Sequence, residues 1–478
     1  MNGTMFQAFE WYLPDDAAHW KRLAAAAGGL AQAGFTAVWL PPAYKAAGGV
    51  HDVGYGVYDT YDLGEFAQKG SVPTKYGTRA EYLACIGALH QAGLSVLPDI
   101  VLNHRMGADA CEEVRAEEVN GANRSQDLTG EETVRVWTKF TFPGRAGKYS
   151  DFTWDWRCFD GVDWDDAAKK SEVLLFEGKS WDSEVDTENG NYDYLMGADL
   201  DMGSPAVAEE LTRWGKWYLD TTRADGFRLD AVKHINRDFY TQWLAGLRAY
   251  AGRELFTVGE YWSPEIEKLI DYLNGDGSCM SLFDVPLHYA LHEASASNGA
   301  FDMRHLWDTA LAARRPCQTV TFVDNHDTQP GQALQSEVQS WFKPAAYALI
   351  LLREAGYPCV FYGDWYGIPH NQIPPVAALP ALVALRAKAA YGPEHDAFDH
   401  PDIVGFTREG DAEHPAGLAV LLTNGPGGAK RLFAGTQHAG ETWPCAVGRG
   451  APVTIGPDGW ADFSVDGGSL NVWSRAAL

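Results

Sequence analysis

The sequence of 478 residues predicts an α/β protein: a (β/α)8 TIM barrel, a small domain inserted after strand 3, and a C-terminal antiparallel β-sandwich. Three observations carry that reading. Short apolar, β-rich runs alternate with helical patterns through most of the chain, the order of a parallel sheet covered by helices. The alternation stops between His104 and Pro205, where Asp, Gly, Trp and Tyr predominate. Beyond Ala397 the helical pattern disappears and short strands with glycine turns take over.

Taken in order, residues 5–10 open the barrel, followed by a helix near 17–33 closed by Gly34 and a strand at 35–41. A helix near 79–91, ended by Gly93, leads to a strand at 94–102. The rhythm returns at 226–232, 255–259, 280–285, 319–323 and 359–362. Near-continuous apolar strands are those of a sheet buried on both faces, and eight of them close naturally as a barrel. A structureless loop as long as 105–205 is rare inside a compact domain, so this stretch reads as a domain standing over the catalytic rim. A helix near 206–219 resumes the barrel, which then comprises 1–104 and 206–396. Runs at 403–407, 418–423 and 470–473 assign 397–478 to the sandwich.

A hydrophobic fraction of 46% is ample for packed cores and argues against disorder. With 38 basic against 64 acidic residues, the formal charge of -26 repels phosphate backbones and anionic membrane surfaces. Neither nucleic acid nor a membrane is expected as a partner, and no run reaches the ~18 apolar residues of a membrane span. The 18 tryptophans and 21 tyrosines offer faces suited to sugar rings, although most must pack the core. Seven cysteines cannot all pair and include no CxxC, so they read as buried free thiols, which lean toward a reducing compartment. The first twenty residues show no basic segment followed by an apolar one, the pattern of a leader.

Four stretches close apolar runs with acids and histidines: 97–104 (LPDIVLNH), 225–234 (DGFRLDAVKH), 256–262 (FTVGEYW) and 319–327 (TVTFVDNHD). Strands that end this way, far apart in the chain, can assemble one site at a barrel rim. Asp230 ends its strand with Arg228 on the same face, and a cation beside a carboxylate keeps it ionised, as a nucleophile must be. Glu260 is followed by Tyr261 and Trp262, apolar neighbours that raise a carboxyl toward a proton donor. On adjacent strand ends the two could stand ~5–5.5 Å apart, the separation of retaining glycosidases. Asp327, after His326, would stabilise an oxocarbenium-like charge or orient hydroxyls. His104 and His326 stand beside these acids, whereas His51, His90, His292 and His305 have no such context.

These stretches resemble the four signature regions of the α-amylase family of glycoside hydrolases, in family order. The resemblance extends to WLPPAY at 39–44, NGNYDYLM at 189–196, FVDNHDTQP at 322–330 and WFKP at 341–344, and is nearest the bacterial liquefying α-amylases. It implies that Asp230 is the nucleophile, Glu260 the general acid/base and Asp327 the transition-state carboxylate. It further implies that His104, Arg228, Lys233, His234, Trp262 and His326 contact substrate, and that Tyr55 stacks on the sugar being cleaved. The expected activity is endo-acting, retaining hydrolysis of α-1,4 bonds in starch, amylose and maltooligosaccharides by a monomer. A maltooligosaccharide-forming exo-enzyme or a transglycosylase shares the same acids and is the alternative; a non-catalytic glucan-binding protein is a remote third.

The inserted region carries Asp160, Asp182, Asp193, Asp199 and Asp201, a set of oxygen donors suited to Ca2+ rather than Zn2+ or Mg2+. The resemblance implies one structural calcium on Asn103, Asp193, Asp199 and the His234 carbonyl, a second on Asp160, Asp182 and Asp201, and Na+ between them. It also implies a third site on Asp402, position 424 and carbonyls near Gly299 and Phe301. Asn424 in place of an acid weakens that site. The resemblance points to an extracellular mature form, with a cytoplasmic one as the alternative that the cysteines suggest.

Overall fold

Eight parallel strands close into a barrel: β1 (Met5–Gln7), β2 (Ala37–Leu40), β3 (Ser95–Ile100), β4 (Gly226–Leu229), β5 (Phe256–Gly259), β6 (Ser281–Phe283), β7 (Thr319–Phe322) and β8 (Tyr357–Phe361), each beside its sequence neighbour, with β8 returning to β1. The computed structural model describes residues 2–275, 277 and 279–477, so the expected domain limits 1 and 478 lie outside it. β2, β4 and β7 are buried along their whole length, as sheet covered on both faces must be. Gly226 admits the close approach of β4 to β5, since a Cβ there would lie 1.8 Å from the Phe256 carbonyl oxygen.

Most strands are shorter than the apolar runs that announce them, because the last apolar residues turn outward to build the rim. β4 ends at Leu229, and Ala231 takes a left-handed φ of 49°, which swings the chain out immediately after Asp230. The first helix runs His19–Ala33 rather than from 17, because Ala17 itself is left-handed (φ 51°) and cannot lie in a helical turn. Helix Arg79–Gln91 starts on a capping box between Thr78 and Glu81, and Pro205–Thr222 begins with the proline that a first turn tolerates.

Between β3 and helix Pro205–Thr222, strands Ala110–Asn120, Asn123–Asp127, Glu132–Lys139, Gly161–Asp165 and Lys170–Phe176 form an antiparallel sheet. The two ends of this insertion are zipped together, His104 pairing with Asp199 and Arg105 with Ala198. At the C-terminal end, a five-stranded antiparallel sheet packs on the ribbon Gly428–Phe433 with Trp460–Val465 around Leu421, Leu432, Phe463 and Trp473. That sheet reaches back to strand Glu394–Ala397, paired with Ile403–Arg408, whose polar sequence hid it.

Among the described residues no helix is long and apolar enough to cross a membrane. No disulfide forms among the cysteines, but the expectation that they are all buried fails: Cys85, Cys158 and Cys359 are, while Cys317 is exposed. Cys317 lies in a short turn at the start of β7, outside the apolar run.

Candidate active site

The rim network is built around one guanidinium. Arg228 lies on β4, fully buried, and its Nη1 donates to Asp99 Oδ1 (2.8 Å) and Asp230 Oδ1 (2.7 Å). Its Nη2 makes an ion pair with Glu260 Oε2 at 2.8 Å. Alternation along β4 puts positions 228 and 230 on one face, and the parallel register sets Arg228 beside Asp99 of β3 and Val258 of β5. Three carboxylates from three successive strands therefore share one cation.

Burial pushes the Asp230 carboxyl up, with Arg228 pulling it back; the expectation that Arg228 alone would hold it low overlooked the cost of burying the charge. Burial likewise raises Glu260, offset by Arg228 and reinforced by the Asp230 charge. Glu260 Oε2 faces the arginine and the Ala231 N–H (3.4 Å), while Oε1 is buried without a hydrogen-bond partner. Asp327 stands a quarter exposed, with the His326 ring nitrogen 3.4 Å away, and is raised by burial and by the charges of Glu260 and Asp230.

Asp99 is buried and pushed up to about 7, chiefly by burial, and its Oδ2 accepts from Tyr55 Oη (2.8 Å) and Trp39 Nε1 (3.0 Å). The Tyr55 ring is nearly parallel to those of Trp11 and His326, with centroids 6.1 and 5.1 Å away. Gln7, at the end of β1, orients His326 by a 3.1 Å bond between its amide and Nδ1. Sequence reasoning assigned nothing to Asp99, Trp39, Trp11 or Gln7. An acid inside an apolar strand was the available signal for Asp99; the others read as core.

The remaining predicted contacts spread outward. His104 is buried, its Nε2 bonded to the Tyr55 carbonyl (2.9 Å), and burial lowers it to about 4, so it is a neutral brace beneath Tyr55. Lys233 bridges Glu188 of the insertion (3.1 Å) and the Trp262 carbonyl (3.0 Å). Trp262 is half-buried, with its indole N–H on Tyr289 Oη (3.1 Å). His234 Nδ1 lies 2.7 Å from the Tyr192 carbonyl, and burial lowers this histidine to about 3. Lys233 and His234 thus clasp the insertion rather than join the carboxylate network.

A second acidic group lies where the zipped ends of the insertion meet the barrel. Carboxylate oxygens of Asp160, Asp182 and Asp193 lie within 4.8 Å of one another. Asn103 Nδ2 donates to Asp199 Oδ1 (3.1 Å), and the Asp160 N–H bonds the Asp199 carbonyl (3.0 Å). Asn103 Oδ1 and one oxygen each of Asp160, Asp182 and Asp199 are buried without a partner. Burial and mutual repulsion push Asp160 up to about 9 and Asp182 to about 7, and raise Asp193 and Asp199 strongly. Of these acids Lys179 pairs with Asp201 alone, its ammonium also donating to the Arg157 carbonyl (2.8 Å). Buried, unpartnered oxygens that repel one another fit a hard divalent cation. Asp402 sits elsewhere, at the seam of barrel and sandwich, where Asn424 donates to the Phe301 carbonyl (2.8 Å) and keeps a buried, unpartnered Oδ1.

Comparison with known proteins agrees with this architecture. Residues 29–388 match the family described as alpha amylase, catalytic domain. An alpha-amylase of Geobacillus stearothermophilus is 56% identical over 99% of this chain and 87% of its own, and one of Bacillus licheniformis 53% over 99% and 93%. A glucan 1,4-alpha-maltohexaosidase of Bacillus sp. (strain 707) is 51% identical over 99% and 92%. An Anoxybacillus alpha-amylase structure shares the fold, with a TM-score of 0.66 at 19% identity over 100% of this chain and 99% of that one. Full-length identity above one half, together with the eight-stranded barrel, makes this chain a member of the α-amylase family of glycoside hydrolases.

Proposed function

We propose that this protein is an endo-acting α-1,4-glucan hydrolase that cleaves internal bonds of starch, amylose and maltooligosaccharides with retention of configuration. The observation that carries the proposal is the Arg228 guanidinium in contact with both Asp230 and Glu260. Asp230, kept ionised by Arg228 against the cost of burial, attacks the anomeric carbon and forms a glycosyl ester. Glu260 delivers its proton to the departing glycosidic oxygen. Because Oε2 faces the guanidinium, Oε1 is the oxygen that carries that proton. Glu260 then takes a proton from water, whose oxygen attacks the anomeric carbon and releases Asp230. Asp327 and the neutral His326 face the developing charge and the sugar hydroxyls, and Tyr55, braced by Asp99 and His104, supplies a stacking face.

Asn103, Asp193, Asp199 and the His234 carbonyl would hold one calcium and Asp160, Asp182 and Asp201 a second, with sodium between; Asp402 belongs to a third site. These ions supply charge neutralisation at the seam and no step of the reaction. All the acids come from one chain, so a monomer suffices. A time course on soluble starch tests the activity: a mixed, rapidly shortening ladder is expected, absent from Asp230→Asn and Glu260→Gln. Near-normal turnover by either folded variant overturns the assignment. The maltohexaosidase relative supports one second reading, exo-action, for which a single product size would dominate from the first minutes.

A further inference from the structure

The lysine of the WFKP segment is not absorbed by the carboxylate site. Lys343 opens helix Lys343–Leu352, in which it is the one charged residue, and it is as buried as the apolar residues that follow. The helix itself does not call for it: a cation in a first turn opposes the helix dipole, and a buried ammonium is costly unless it is paired. Its partners come from two other elements. Nζ makes an ion pair with Asp324 Oδ2 at 2.7 Å, just past the end of β7, and a second with Asp364 Oδ1, in helix Tyr362–Tyr366 after β8. Burial works to lower the lysine, and the charges of Asp324 and Asp364 outweigh it and raise the group instead.

The two arms of this triad lead to different places. Asp364 stays within the barrel wall, where its Oδ2 accepts from Tyr347 Oη (2.7 Å) on the helix that carries the lysine. Asp324 leads to the rim. Its Oδ1 accepts the Val338 N–H (3.1 Å) and the Thr328 hydroxyl (3.2 Å), and Thr328 Oγ1 in turn accepts the Asn325 N–H (3.0 Å). Asn325 Oδ1 then accepts the N–H groups of Asp327 and Thr328, each at 2.9 Å. Residues 324–328 are thereby closed into one bonded loop, and the side chains that it presents to the site are His326 and Asp327. Lys343 is the buried charge that anchors the root of that loop.

We infer that Lys343, acting through Asp324 and Thr328, is a positioning residue that sets Asp327 and His326 against the sugar being cleaved. The inference rests on the starch-hydrolase reading, in which Asp327 faces the charge that develops in the transition state. The test measures kcat and KM on maltoheptaose, with Tm, for the full chain and for three variants that keep side-chain shape. Asp324→Asn breaks the arm that reaches the loop, and kcat should fall about thirtyfold with KM within about threefold, as for a displaced group that acts mainly in the transition state. Asp364→Asn breaks the other arm of the same ammonium; Tm should fall about as far, and kcat should stay within about threefold. Thr328→Val leaves the triad whole but cuts its link to the loop, and should lower kcat about tenfold; it decides alone should Asp324→Asn not fold. A triad that only stabilises the barrel would make the two aspartate variants equal in kcat as well as in Tm. Equal kcat in those two, or a normal kcat in Thr328→Val, overturns the inference and leaves the hydrolase reading intact. An unmodified protein inert on maltoheptaose overturns that reading and this inference with it.

Discussion

Two of the buried acidic groups, one at the barrel rim and one at the insertion seam, solve the same electrostatic problem in opposite ways. At the rim, Asp99, Asp230 and Glu260 share Arg228, a cation built into β4. At the insertion seam, Asp160, Asp182, Asp193 and Asp199 have unpartnered oxygens or strong mutual repulsion, and Lys179 forms an ion pair with none of them, only with Asp201. Carboxylates brought out of water need either a covalently supplied cation or a bound one. The rim carries its own, whereas the seam acids lack one, and on the proposed reading this separates the group assigned to chemistry from the group assigned to a structural cation.

Neutralising a rim acid should be the most damaging change. Asp230→Asn or Glu260→Gln should lower kcat on starch by about two to four orders of magnitude or more, with circular dichroism and Tm little changed. Arg228→Met should be worse for the fold than either, since it strands buried carboxylates, at a cost of about 3–5 kcal/mol in urea unfolding. A stable Arg228→Met would show that the rim acids need no built-in cation. Chelation should act on the seam only through structure: a site occupied at 100-fold over Kd contributes about 2.7 kcal/mol, so Tm should fall with chelator and recover with Ca2+. Full activity at unchanged Tm in excess chelator would remove the seam's need for an ion.

The pH profile gives a smaller, signed test. The proposed mechanism requires Asp230 ionised and Glu260 protonated, and both groups are raised above their ordinary values of 3.8 and 4.5. Activity should fall as pH drops through the first and again as it rises through the second, so the acid limb of kcat/KM should lie above 3.8 and the alkaline limb above 4.5. A bell centred below about pH 4 would contradict the dominance of burial. The smallest effect belongs to Asp402→Ala, on a half-buried side chain, with about 0.5 kcal/mol expected from thermal unfolding.

Much of this architecture is legible in the amino-acid sequence. Alternating apolar runs locate all eight strands, and Asp230, Glu260 and Asp327 stand out because an acid ending such a run has few structural uses. Gln7, Trp11 and Trp39 do not, since nothing local distinguishes an aromatic or amide at a strand end from ordinary core. Strand Glu394–Ala397 escapes because its pattern is polar, and the helix start at His19 because a left-handed Ala17 leaves no compositional trace.

The order of strands and helices, the interruption after β3 and the residue types gathered at the rim are written along the chain, because periodicity and strand-end chemistry are local properties. How charge is shared emerges from the packed barrel instead. That Arg228 serves Asp99 and Glu260 as well as Asp230, that burial outweighs it, and that Asp160, Asp182 and Asp193 converge without a lysine among them depend on register and depth across the sheet. Coulomb and desolvation energies are set by distances and dielectric, and neither is written in any one segment.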